Sequence, residues 1–96
     1  REISREVWLD IAFKLNLLRI DEARLLNKMR QAVSQKKQEI VSKQEKRNIA
    51  AAEIEVECTD EYRFMKDQED KVDMVEEQIR ISKIQARLAD DQIRNY

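Results

Sequence analysis

Across 96 residues the chain contains no glycine and no proline, where ordinary usage of about 7% and 5% would supply roughly eleven between them. Glycine is the usual source of positive φ in tight turns, and proline interrupts helices and sheet ladders. Without either, long helix is the default state of the backbone, and connections fall to polar side chains. Histidine is also missing. That removes the commonest general base and the commonest transition-metal ligand, so a binding or scaffolding role is favoured over catalysis.

With 41% charged and 42% apolar residues, the chain has the profile of amphipathic helices rather than of a thick globular core. Two such helices bury too little surface against each other to be stable alone, so other copies of the chain or a partner are expected to supply the rest, with self-association the first inference. Cys58 is the single cysteine. It forms no intrachain disulfide, fits a reducing compartment, and is expected as a small buried apolar residue rather than a reactive thiol. No apolar run is long enough to span a bilayer, and the first residues lack the apolar centre of a signal peptide. A soluble, cytoplasmic protein is expected. A start at Arg1 rather than methionine is what a segment of a longer chain would show.

Apolar residues recur at helical spacing through residues 1–33: Ile3, Val7, Ile11, Leu15, Leu18, Leu25, Met29 and Val33, widened by Trp8 and Leu26 and interrupted by the charge of Glu22. Phe13, Leu17 and Ile20 form a second stripe, so this helix has apolar surface for two neighbours. Residues 60–96 carry a stripe with a spacing near 3.5: Met65, Val72, Val75, Ile79, Ala86, Ala89, Ile93 and Tyr96, with Gln68 and Ser82 as polar members. Met74, Ile81, Ile84 and Leu88 lie beside it. Between them, residues 34–59 form a basic connection followed by a short helix. Ile54, Val56 and Cys58 alternate with glutamates as a strand would, but Ala50, Ala51 and Ala52 favour helix, and no second strand is available for pairing. Thr59 or Asp60 is suited to cap the next helix.

The predicted fold is therefore all-α: a single domain built as an antiparallel hairpin of long amphipathic helices, assembled as a homo-oligomer. The stripes place the self-association surface at Trp8, Ile11, Leu15, Leu18 and Leu25 on the first helix and at Val72, Val75, Ile79 and Ile93 on the second.

Chemistry-bearing motifs are sparse. One cysteine and no histidine exclude a Cys/His metal cluster and leave any hydroxyl or thiol nucleophile without a histidine base. The run Asp67, Gln68, Glu69, Asp70 lacks the glycine-containing loop of an EF-hand and reads as a solvated helix face. No catalytic residue, metal or cofactor is assigned. Charge is more informative. Residues 34–48 hold Lys36, Lys37, Lys43, Lys46 and Arg47 against Glu39 and Glu45, a net +3, whereas residues 49–96 carry −6. These five cations are the candidate nucleic-acid contacts, because lysine and arginine neutralise phosphates and release counterions without reading sequence. The same cations also fit a solvated charged face.

Several features in sequence order resemble the bacteriophage recombination mediators of the UvsY-like family. They are Trp8-Leu9, Leu18-Arg19-Ile20-Asp21-Glu22-Ala23, a lysine-rich connection, Glu53-Ile54, Thr59-Asp60-Glu61-Tyr62 and the closing Asp91-Gln92-Ile93-Arg94. The resemblance implies an oligomeric helical protein of the host-cell cytoplasm that binds single-stranded DNA. It further implies contacts with a recombinase and a single-strand binding protein, whose exchange on DNA it assists. The family's basic region maps onto Lys36, Lys37, Lys43, Lys46 and Arg47, and the net charge of −1 departs from the family's character. The alternative is a structural coiled-coil or scaffold module that binds no nucleic acid. A third reading, peripheral membrane binding, rests on residues 11–20, where Lys14 and Arg19 flank apolar side chains. It is the least favoured, and no membrane partner is expected.

Overall fold

The computed structural model describes residues 4–94, with the backbone alone for residues 93 and 94. Ile3, Tyr96 and the side chain of Ile93, all assigned to apolar stripes, lie outside the described residues. Three helices and no strand occur among those described: α1 (Arg5–Lys43), α2 (Ile49–Glu57) and α3 (Asp60–Arg94). The alternating Ile54, Val56 and Cys58 thus belong to helix and its cap, as the alanine run favours.

Side chains set the ends of these helices. Ser4 caps α1, its hydroxyl accepting from the Val7 amide at 3.4 Å and its carbonyl from Trp8 N–H at 3.2 Å. Glu6 in the first turn and Lys43 in the last suit the two ends of the helix dipole. At 39 residues α1 extends through residues 34–43, where Lys, Gln and Glu are good helix formers and Ile40 and Val41 are half-buried. Gln44 then donates its amide back to Val41 O (3.2 Å) and offers its side-chain oxygen to the Asn48 amide (2.9 Å). Asn48, extended at φ −131° and ψ 96°, caps α2 by accepting from Ala51 N–H at 3.1 Å. Thr59 makes the second break: its hydroxyl donates to Val56 O at 2.6 Å and accepts from Tyr62 N–H at 3.3 Å, with Asp60 and Glu61 in the first turn of α3. No described residue has positive φ, so both connections form without the conformation that glycine supplies.

The chain packs as two compact units, one of residues 22–71 and one of residues up to 21 together with those from 72 onward. In the second of these, Ala12 on α1 and Val72, Ile79, Ser82 and Ala86 on α3 are buried, with Trp8, Ile11, Leu15, Val75 and Ala89 half-buried. Small residues at Ala12, Ser82 and Ala86 allow close approach of backbones. Ser82 satisfies its hydroxyl by donating to Gln78 O at 2.9 Å. In the unit of residues 22–71, Leu26, Ala52, Val56, Met65 and Gln68 are buried, and Met29, Val33 and Ile40 are half-buried.

On α3 the buried row follows the predicted stripe, polar members included. On α1 it does so in part: Trp8, Ile11, Leu15, Leu26, Met29 and Val33 are buried or half-buried, while Val7, Leu18 and Leu25 are exposed. The inward positions run Trp8, Ala12, Leu15, Arg19, Glu22, Leu26, Met29, Val33, Lys36, Ile40, stepping by four and three, so Ala12, Arg19 and Glu22 take places that Leu18 and Leu25 do not. The row admits Glu22 because Gln68, only 3% exposed, donates through Nε2 to Glu22 O at 2.9 Å and to its carboxylate Oε2 at 2.5 Å. A buried amide of this kind needs such partners. Cys58 is corrected too: it is the exposed C-cap of α2, not a buried core residue.

Candidate nucleic-acid interface

The five sequence-assigned cations all lie in the unit of residues 22–71, on the last turns of α1 and in the connection to α2. They divide by environment. Lys37 is half-buried and held by Glu53 of α2 at 2.9 Å, and Lys36 is half-buried with its ammonium 3.9 Å from Glu39. Lys43, Lys46 and Arg47 are exposed and make no ion pair among the described residues. Three unpaired cations therefore fall within five residues, and Lys43 also sits at the negative end of the α1 dipole, where cations are favoured.

Two shallow hollows flank them. One, about 400 Å³, is lined by Ser34, Lys37, Gln38, Val41, Ser42, Arg47 and Ile49, with hydroxyl, amide and cationic groups around an apolar floor and no carboxylate. The other, about 320 Å³, is lined by Lys36, Ile40, Lys43, Gln44, Glu55 and Thr59. Ser42 directs its hydroxyl proton to Glu39 O at 2.8 Å, leaving its lone pairs free. A solvent-facing arrangement of cations of this kind can neutralise phosphates.

Elsewhere, Arg24 and Lys28 are one turn apart on the exposed side of α1 and make no ion pair among the described residues. Their i, i+4 spacing is visible in the sequence, where Leu25 and Leu26 stand between them. On α3, the Lys66 ammonium lies 3.2 Å from Glu69 and 5.7 Å from the Tyr62 ring centroid. Its hydrogen bond to Glu69 and the charge of that carboxylate raise the Lys66 pKa, and the same hydrogen bond lowers that of Glu69. Arg80 and Glu77 repeat the pattern, with the hydrogen bond again the leading cause for each. Cys58 borders a hollow of about 300 Å³ with Glu57, Thr59, Asp60, Tyr62, Arg63 and Lys66.

The residues assigned to self-association are scattered by the fold. Val72 and Ile79 are buried within the chain, Trp8, Ile11, Leu15 and Val75 are half-buried there, and Leu18 and Leu25 face solvent at 44% and 42% exposure. Among the described residues no group of three or more Cys, Asp or Glu side chains is placed to hold a metal ion, and no helix is long and apolar enough to cross a membrane. Comparison with protein-family models, with curated proteins and with solved structures finds no match.

Proposed function

We propose that this protein is a noncatalytic mediator of recombination that binds single-stranded DNA as a homo-oligomer and assists the loading of a recombinase in place of single-strand binding protein. The observation that supports it is the exposed, unpaired trio Lys43, Lys46 and Arg47 at the α1–α2 connection. Lys36 and Lys37 extend the basic surface along α1, and Lys37 contributes only by leaving Glu53. In this reading α1 runs antiparallel to α2 and α3. Two contacts favour that arrangement: Glu22 meets Gln68 while Lys37 meets Glu53, so partners move back along the chain as α1 advances. The scaffold reading, without nucleic acid, draws on the exposed apolar side chains of Phe13, Leu17, Met74 and Leu88.

Fluorescence anisotropy with labelled oligothymidylate at increasing salt separates the two. Three phosphate contacts per chain give a slope of log affinity against log salt of about −2, a weakening of roughly 20-fold between about 50 and about 200 mM. K43A/K46A/R47A removes most of that slope, and K36A/K37A changes it less. Absence of binding at low salt rejects the DNA reading and leaves the scaffold.

A further inference from the structure

Residues 24–42 of α1 hold five cations and a single carboxylate, Glu39, a net +4 in a chain whose total is −1. Three of these cations are engaged: Arg30 lies 3.4 Å from Glu69, Lys37 2.9 Å from Glu53 and Lys36 3.9 Å from Glu39. Arg24 and Lys28 are exposed and unpaired among the described residues. They begin a row that continues by steps of three and four through Gln31, Gln35, Gln38 and Ser42, every member of it exposed. At 3.6 residues per turn this row lies on the side of α1 opposite the inward positions Leu26, Met29, Val33 and Ile40.

No carboxylate interrupts the row. On α1 its acidic neighbours are Asp21, in the turn before Arg24, and Glu39, which borders Gln35 and Ser42 and has the Lys36 ammonium beside it. At the other end the row meets the basic connection, where Glu45 stands between Lys43 and Lys46. Gln38 and Ser42 line the same hollow as Arg47, and Lys43 directly follows Ser42. All of these residues except Asp21 belong to the unit of residues 22–71. From Arg24 to Ser42 the helix rises about 27 Å, and a strand with one phosphate per about 3.4 Å lays at most about eight phosphates along it. Amide and hydroxyl groups donate to phosphate and sugar oxygens without reading bases, and lysine and arginine add the electrostatic hold.

We propose that a single strand bound at Lys43, Lys46 and Arg47 continues along this outer row of α1 and is anchored at its far end by Lys28 and Arg24. The inference rests on the DNA-binding reading above and adds to it a route, a length and two further phosphate contacts.

Fluorescence anisotropy of the full chain with labelled oligothymidylates of about 4 and about 16 nucleotides, the range of common single-strand sites, tests it. R24Q/K28Q and K43A/K46A/R47A are compared with the parent and with K71Q/K83Q, which removes two exposed cations of α3 instead. Every substitution is at an exposed position, and far-UV circular dichroism checks that helix content is retained. The parent engages three phosphates of the short oligomer and five of the long one, so its slopes of log affinity against log salt are about −2 and about −3.5. Between about 50 and about 200 mM salt its affinity for the long oligomer falls roughly 130-fold. In R24Q/K28Q that fall is roughly 20-fold, as for the short oligomer, and K71Q/K83Q follows the parent. A long-oligomer slope unchanged in R24Q/K28Q, or lowered equally in K71Q/K83Q, overturns this inference alone, since weakened binding in K43A/K46A/R47A still supports the DNA reading. Binding of neither oligomer by the parent at low salt overturns both.

Discussion

Replacing Gln68 by leucine strips Glu22 of the only side-chain hydrogen-bond donor it has among the described residues. Leucine is close to glutamine in size, so the change tests polarity more than volume. The Glu22 carboxylate is half-buried, and water recovers part of the lost solvation. Leaving a buried polar group unpaired costs ~1–3 kcal/mol, and partial hydration places Q68L toward the lower half of that range. E22L leaves one N–H of the Gln68 amide, only 3% exposed, without an acceptor while its bond to the main-chain oxygen of residue 22 remains, so its cost falls in the same range. The double variant E22L/Q68L removes both polar groups and returns stability to near that of the parent, as matched apolar replacement does. Thermal unfolding by circular dichroism at fixed protein concentration reads the series, each kcal/mol shifting Tm by ~4–8 °C for a chain of this size. Neighbours in one hydrogen-bonded pair couple by ~0.5–3 kcal/mol. If the single effects simply add, or if E22L/Q68L is less stable than either single variant, the pair does not hold the helices as described.

Three further outcomes follow from groups at the surface. Cys58, exposed at the end of α2, should react with a maleimide in the folded protein about as fast as in urea, and strong native-state protection measured by mass spectrometry would contradict its position. The depressed pKa values of Glu69 and Glu77 contribute stability that is present above the ordinary carboxylate range and lost as pH falls through the depressed values. Urea midpoints should therefore decline on acidification less steeply in E69Q/E77Q than in the parent. At the alkaline end, the raised Lys66 value gives a contribution complete below the ordinary lysine range and lost as pH climbs through the raised one.

How much of this was legible in the sequence depended on whether apolarity and burial coincide. On α3 they do: Met65, Val72, Ile79 and Ala86 sit on the buried row, and Gln68 and Ser82 were identifiable as its polar members by spacing alone. On α1 the most apolar side chains mislead. Val7, Leu18 and Leu25 outrank Ala12, Arg19 and Glu22 on any hydrophobicity scale, yet the row passes through the latter. A small residue permits close approach, and Gln68 supplies a partner for Glu22 that periodicity cannot see. The end of α1 was also hidden, since in residues 34–43 only Ile40 and Val41 are strongly apolar and Lys36 takes an inward place between Val33 and Ile40. The Thr59 cap was readable in kind, because few residues there could have served. Among the basic residues, sequence supplied the cluster but could not show that Glu53 occupies Lys37 while Lys43, Lys46 and Arg47 stay unpaired.

The two connections deserve a topological reading. Neither is enforced by a residue that forbids helix: Gln44, Asn48 and Thr59 interrupt the backbone only through side-chain hydrogen bonds that compete with helical ones. Straightening such a joint breaks those bonds and also separates the side chains buried around it, Leu26, Ala52, Val56 and Met65. In this chain, three polar side chains therefore set where one helix stops and the next begins.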